Sequence, residues 1–521
     1  MKKQQIFKDY FKSQLSLPVE LEVFIPDNHI VRIVDQVIDS IDISPLLEQY
    51  KGGGSSAYHP KMLLKVIIYA YTQRIYSGRV IAKELRENIN FMWIAAKNIP
   101  DFRTINRFRS EKMKEQIQII FANVVILLNE RGFIKLDNCF VDGTKIEANA
   151  NKYSFVWKGT KNYHAKNLKN KINSTLAQID EAFLEEEKIY KNKDLHEVEG
   201  TPVTVEELEN IVKSIDEKLS NNPKDKILKK AKKDITENFI PRLVKYKKQE
   251  EILGERNSYS KTDNDATFMR MKEDHMRNGQ LKPGYNVQIS TENQMIVNFS
   301  IHQKPGDTTT LIPHLNQMEN LLGKLPKNIV ADAGYGSEEN YKFLEENNLG
   351  NYVKYNTWLK DLRNKKVGKY YSANNFIYYK EKDYYICPNG EFLYYKKTSH
   401  KKTETGYLQE IKEYQCNFCG DCTLREFCTT SKYGRTLGIN KTLEDYKRIA
   451  RMNLCSEEGT VLRKRRSIDV EPVFGMIKGN RYFKKFMLRG LPKVEIEWGL
   501  LSIAHNFKKL TSMMGIVANM T

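Results

Sequence analysis

No stretch of this 521-residue chain approaches the roughly 20 consecutive apolar residues that a membrane-crossing helix requires. The longest apolar run, IQIIFANVVILL over 117–128, suits a buried helix instead. The opening MKKQQIFKDYF is basic but lacks the apolar centre of a secretory signal. These two absences predict a soluble intracellular protein. Cysteine is scarce, with seven residues in all, and four of them fall within the thirteen positions from Cys416 to Cys428. An odd, clustered set in a chain that reads as intracellular points to metal binding rather than to disulfides.

Acidic residues are in deficit. Asp and Glu number 65 against 84 Lys and Arg, a formal net charge of +19. Such an excess predicts a polyanionic partner, because cationic side chains that displace counterions from phosphate bind it whatever its sequence. Nucleic acid is the partner expected, with a cytoplasmic, nucleoid-associated location; a merely solubilising charge is the alternative.

Along the chain the pattern changes several times. Residues 1–115 read as helical, with Pro60 opening one helix and Ser77 a cap candidate for the next. Arg103, Arg107 and Arg109 cluster in RTINRFR after the break at IPDF. Short helices with arginines at one end suit a helix-turn-helix-like DNA binder, and a helical oligomerisation domain fits the same pattern. Residues 116–159 lead into a strand, and 160–255 form a charged helical insertion. Leu208, Ile211, Ile215 and Leu219 are spaced there as in a helical hairpin or coiled-coil arm. Residues 256–357 give hairpin, helix, strand, helix, strand, a mixed α/β order in which STENQ supplies the hairpin turn. Residues 358–440 are rich in Tyr and Lys and hold the cysteine cluster. Residues 441–521 read as closing helices, the basic RYFKKFMLRG among them.

Two short apolar strands end in an aspartate with glycine close behind: FVDGTK places Asp142 before Gly143, and IVADAGYGS places Asp332 two residues before Gly334. A carboxylate there needs a cation, whether lysine or metal, or a turn amide to offset its desolvation. Neighbouring parallel strands would bring both to one sheet edge, the usual site position in open α/β sheets. Glu471 in SIDVEPVFGMIKGN lies seven residues before Lys478, nearly on the same helical face. Acids beside bases make sense if the acids hold metal while the bases hold phosphate. Two hard cations, Mg²⁺ or Mn²⁺, would then suit phosphodiester chemistry.

Four segments, FVDGTKIEANANKYSFVWKG, YSKTDNDATFMRMKED, ADAGYGS and VEPVFGMIKGNRYFKKFMLRG, resemble in order and spacing the motifs of DDE transposases of the IS1182 group. HPKMLLKVIIYAYTQRIYSGR and PDFRTINRFR resemble the helical domain that opens those proteins, so the likeness runs over nearly the whole chain. The resemblance implies an RNase H-like mixed-sheet catalytic domain with an all-helical N-terminal domain, a helical insertion and a cysteine-rich one. It implies a metal-binding triad of Asp142, Asp332 and Glu471, with Asp469 the nearest rival for the third place. The related signature Tyr-x2-Arg-x3-Glu-x6-Lys is met at Glu471 and Lys478. Its tyrosine and arginine positions hold Lys464 and Ser467, and Arg466 stands one residue away.

The implied activity is insertion-sequence transposition: metal-assisted hydrolysis at the terminal inverted repeats, then attack of the freed 3′-hydroxyl on target DNA by a homodimer that pairs two ends. Rival readings are a transposase-derived DNA-binding protein that no longer cuts and a structure-selective metal-dependent nuclease. Lys145 is a candidate phosphate contact or a plain surface lysine, and Lys478, Arg481, Lys484 and Lys485 would grip the DNA backbone. Asp263 and Asp265 would serve either the site or Asx turns. Cys387, Cys416, Cys419, Cys422 and Cys428 supply five thiols for a four-ligand structural Zn²⁺ site, without settling which four bind. Cys139 reads as core and Cys455 as incidental.

Overall fold

The computed structural model describes residues 20–50, 57–187, 204–271, 279–362 and 375–518. MKKQQIFKDYF and the last three residues of YSKTDNDATFMRMKED, 272–274, lie outside them. The strands in chain order are β1 (Asn138–Glu147), β2 (Phe155–Trp157), β3 (Ser258–Ser260), β4 (Thr267–Arg270), β5 (Leu281–Glu292), β6 (Met295–His302), β7 (Asn328–Ala331) and β8 (Gly350–Val353). A second group follows: β9 (Ile377–Tyr379), β10 (Tyr384–Ile386), β11 (Phe392–Lys402), β12 (Leu408–Cys416) and β13 (Thr436–Ile439).

The main sheet runs β4-β5-β1-β7-β8, with β6 also on β5. β5 is antiparallel to β1 and β6 antiparallel to β5, while β7 lies parallel to β1 and β8 parallel to β7. A three-strand antiparallel meander continued by two parallel strands is the RNase H-like arrangement, so the mixed α/β expectation holds. The β5–β6 hairpin turns at Asn293 and Gln294, both at positive φ, as a tight two-residue turn demands.

β5 and β6 are buried almost continuously rather than alternately. The cause is cover from both sides. Phe299 meets Phe121 of the helix Ile117–Glu130 edge to face, whereas Ser300, one residue on, bonds His314 of the helix Leu311–Leu322. The helix Leu491–Ala518 is apolar around its circumference, with Val494, Ile496, Trp498, Leu500, Leu501, Ile503 and Phe507 fully enclosed. Such a helix belongs in the middle of a fold. The helix Pro60–Thr72 packs against it and is buried from Leu63 to Thr72. His59 caps that helix and Pro60 opens it. One apolar core therefore runs from Ile25 to Leu510 and unites the N-terminal helices with the sheet.

The charged arm is separate. Its helices span Lys158–Glu187, Val205–Asn221, Lys226–Lys233 and Ile240–Leu253. They enclose their own core of Leu168, Ile172, Leu208, Ile215, Leu228, Ile235 and Phe239, with Ile211 and Leu219 packed on it. The arm leaves and re-enters through the antiparallel pair β2 and β3, where Trp157 faces Ser258.

Two local expectations fail. Ser77 occupies the N-cap of Gly78–Glu87 but makes no side-chain capping bond. RYFKKFMLRG is not helical: it lies along the end of β1, Glu147 donating to Lys484 O and accepting from Phe486 N. Phe483 and Phe486 are buried against each other and Trp498, a burial that an extended chain with Tyr482 at positive φ provides.

Candidate active site

β1 pairs with β7 through Val141 and Ala331, and the next residue of each strand is the acid. Asp142 and Asp332 therefore leave the ends of the parallel pairing at the same register. β7 stops there, but β1 does not end at Asp142, as FVDGTK had suggested. It continues to Glu147 as the partner of β5, so Asp142 sits within a strand that is paired on one side only. Asp332 caps the following turn, accepting Gly334 N at 2.8 Å.

The cation that meets both acids in the structure is Arg466, on the helix Glu457–Asp469. Its Nη2 lies 3.2 Å from Asp142 Oδ1 and 4.0 Å from Asp332 Oδ2. The arginine is buried, and its Nε finds no hydrogen-bond partner among the described residues. Lys354, directly after β8, stands beside the group. Burial lowers its pKa, the guanidiniums of Arg466 and Arg463 lower it further, and Asp332 and Glu471 oppose them. Glu471 opens the short helix Glu471–Gly475, exposed and within electrostatic reach of Lys354.

The rival third acid has a different task. Asp469 is buried and accepts the backbone N–H groups of Asn293 and Gln294 at 3.0 and 2.9 Å, clamping the β5–β6 turn. Asp263 and Asp265 likewise hold backbone. Asp263 accepts Gly490 N and the Tyr285 hydroxyl, and Asp265 accepts Leu491 N at the start of the central helix.

A fourth acid escaped notice in the sequence. Asp307 receives Asn286 Nδ2 at 2.8 Å and Gln288 Nε2 at 3.0 Å. A Cβ on Gly143 would lie 2.4 Å from Gln288 and 2.9 Å from Asp307, so a larger residue there would displace the Gln288 amide or the Asp307 carboxylate. Tyr335 donates to Gln288 Oε1. Its hydroxyl stays protonated because burial first, then the charges of Asp307, Asp142 and Asp332, raise its pKa. The signal in sequence for this layer was a glycine within two residues of each aspartate, Gly143 and Gly334.

Several expected DNA contacts are not on the surface. Arg109 is buried, bonded to Tyr71 Oη, Tyr76 O and Asn106 Oδ1. Arg481 is buried against Ala504 O, and desolvation brings its pKa down to about 10. Both serve the junction between the N-terminal helices and the C-terminal segment. Lys478 is buried while Glu471 is exposed, so the two do not share an open face; the helix widens to a π turn over Met476–Asn480 between them. Arg103, Arg107, Lys484 and Lys485 are exposed, with Arg107 paired to Glu111 and Lys485 to Glu147. Lys145 is half-buried on β1.

Among the described residues no three His, Cys, Asp or Glu side chains are already arranged to hold one ion. The donor chemistry at Asp142 and Asp332 nevertheless fits a hard divalent cation: two carboxylates at one register, with Asp332 40% exposed. Cys387, Cys416, Cys419, Cys422 and Cys428 line a single small cavity beside the second sheet. Cys139 is buried on β1, its thiol raised to about 12 by desolvation, and Cys455 is exposed.

No curated protein and no solved structure matches the chain. Two family models do. The Transposase domain (DUF772) matches residues 19–111, and the Transposase DDE domain matches residues 386–511, which include Arg466 and Glu471. The first lies on the N-terminal helices; the second runs from the cysteine sheet into the central helix. The chain thus carries two transposase domains, a pair typical of IS1182-family transposases, alongside the RNase H-like sheet.

Proposed function

We propose that this transposase cuts DNA at the ends of an insertion sequence and joins the freed 3′-hydroxyl to target DNA, using Asp142, Asp332 and Glu471. The observation that carries the reading is the register of Asp142 and Asp332 on adjacent parallel strands, with Arg466 across both. The three acids would hold Mg²⁺ or Mn²⁺, which supplies Lewis-acid activation of the attacking oxygen and stabilises the leaving one.

The chain's own groups have distinct parts. Arg466 orients both aspartates before substrate arrives, through its contacts with Asp142 Oδ1 and Asp332 Oδ2. Lys354 and Arg463 offer positive charge to the phosphodiester beside the acids. Tyr335, bonded to Gln288, and Asp307, bonded to Asn286 and Gln288, brace the backbone under Asp142. Arg103, Arg107, Lys484 and Lys485 are left as the backbone contacts, and pairing of two element ends calls for a homodimer.

The test is cleavage of labelled DNA carrying the element's ends, by wild type and Asp332→Asn, with Mg²⁺ or Mn²⁺ and with chelator. Cleavage at the element boundary by wild type alone, with DNA binding retained in the variant, is the expected result. Equal cleavage by Asp332→Asn overturns the assignment. Nicks without joined product when 3′-hydroxyl ends and a target plasmid are supplied would reduce the activity to that of a nuclease.

A further inference from the structure

The second sheet, β13-β12-β11-β10-β9, has a core too small to hold it. Its fully buried apolar cluster is Phe376, Leu393, Tyr414, Cys416 and Leu437. Units with so little enclosed surface usually depend on a disulfide or a metal. The 417–433 segment between β12 and β13 is more extreme, because none of its residues is buried. Phe418, Phe427 and Tyr433 are 69, 70 and 77% exposed, and the regular structure in it is the single helical turn Arg425–Cys428. Apolar burial does not account for a defined path through these residues. What the segment does bring inward is sulfur.

Five thiols meet at one place. Cys387, Cys416, Cys419, Cys422 and Cys428 line a cavity of about 30 Å³, with Asn389, Arg425 and Arg435 at its margin. Two sulfurs already accept backbone N–H groups: Cys387 from Glu391 at 3.3 Å and Cys419 from Arg435 at 3.4 Å. Backbone N–H groups aimed at sulfur are the kind of partner that orients a metal-ligating side chain. Cys422 receives Asn389 Nδ2 at 3.5 Å, whereas Cys428 has neighbouring thiols and Arg435 nearby. Gly434, at φ +87°, brings the chain so close that a Cβ there would stand 2.6 Å from Cys416 O and 3.3 Å from Cys419 Sγ.

We propose that Cys387, Cys416, Cys419 and Cys422 bind one structural Zn²⁺, with Cys428 outside the ligand set. Four thiols release four protons to solvent as the four Zn–S bonds form, leaving a net charge of −2 that Arg425 and Arg435 offset. The Sγ atoms close in from their present spacing to the roughly 2.3 Å bonds that zinc takes. A cavity of about 30 Å³ has room for one ion.

The site has a structural consequence for catalysis. The β11–β12 turn reaches the helix Glu338–Glu346, which follows Asp332: Tyr407 Oη donates to Glu338 Oε1 and Thr405 Oγ1 to Glu339 Oε2. Asn440, just after β13, also donates to Glu338. Zinc at the far end of β12 would thus stiffen a brace against the second catalytic strand.

The experiment needs no DNA, so its result is independent of the proposed cleavage chemistry. Full-length protein from zinc-supplemented culture is assayed for metal by mass spectrometry. It is also reloaded with Co²⁺, whose tetrahedral thiolate complexes absorb strongly in the visible. One zinc per chain is expected in wild type, Cys428→Ser and Cys455→Ser, and loss of zinc in Cys387→Ser, Cys416→Ser, Cys419→Ser and Cys422→Ser. In case a ligand variant fails to fold, wild-type protein is chelated instead: proteolytic cutting within 417–433 should rise and added Zn²⁺ should reverse it. A metal-free wild type, a bound iron–sulfur chromophore, or zinc retained in Cys419→Ser overturns the site. Zinc lost in Cys428→Ser and kept in Cys422→Ser overturns the choice of fourth ligand.

Discussion

At the scale of single residues, two neighbouring acids on one helical segment have opposite duties. Asp469 is enclosed and satisfies two backbone donors of the β5–β6 turn, while Glu471, two residues later, is exposed toward Lys354. Removing Asp469 leaves buried N–H groups without an acceptor, which costs about 1–3 kcal/mol. Asp469→Ala should therefore shift the denaturant midpoint by that amount. Glu471→Gln should leave stability within about 0.5 kcal/mol, as exposed substitutions do, and abolish cleavage. An Asp469→Ala protein of normal stability but no activity, beside an active Glu471→Gln, would move the third acid to position 469. Arg466 shows the same sensitivity to a single step. The signature spacing places an arginine at 467, yet the helix ends at Asp469 with Val470 as its cap, and residue 466 is the one that faces both aspartates.

At the scale of elements, the charged arm was legible because its apolar spacing is helical and its charge is high. Leu208, Ile211, Ile215 and Leu219 do form one face of a local core. That core is distinct from the main one, and the arm is rooted where β2 and β3 pair. Replacing residues 158–257 by Asn-Gly, a sequence that favours a tight hairpin turn, should join Trp157 to Ser258 without disturbing the sheet. The expected product is a soluble chain with a cooperative thermal transition, read by circular dichroism. Aggregation or a non-cooperative melt would show that the main core depends on the arm. RYFKKFMLRG, by contrast, was misread as a helix. Its basic residues suit a helical surface, but Phe483 and Phe486 are buried beside Trp498, and local pattern carries no information about that distant indole.

At the scale of the whole molecule, the N-terminal helices and the RNase H-like sheet meet around the helix Leu491–Ala518 and its buried polar groups. Glu497 is fully enclosed there, accepting Met487 N and Leu488 N. Burial is the main cause that pushes its pKa from 4.5 up to about 7. Between those values the unfolded chain has released the proton while the folded chain retains it, so stability present below pH 4.5 is lost as pH rises toward 7. The slope from this group is on the order of 1.4 kcal/mol per pH unit inside that window. Glu497→Gln keeps an acceptor for both amides and removes the titration. Its melting temperature should fall less than that of wild type between pH 5 and pH 7, and an identical fall in both proteins would exclude Glu497 as the source.

The amino-acid sequence by itself determined the hairpin, helix, strand, helix, strand order of 256–357, the two aspartates beside each other on the sheet, the helical arm and the grouping of cysteines. Each depends on residues close in the chain, through periodicity, turn chemistry or spacing. Tertiary structure alone decided that Arg109 and Arg481 are core cations rather than DNA contacts, that Asp469 clamps a turn, and that Asp307 lies beneath Asp142. Those outcomes rest on partners far apart in the chain, as in the bonds of Asp469 to Asn293 and of Tyr76 Oη to Arg481 O. Whether a charge faces solvent or a buried dipole is set by such contacts, and they exist only once the core has closed.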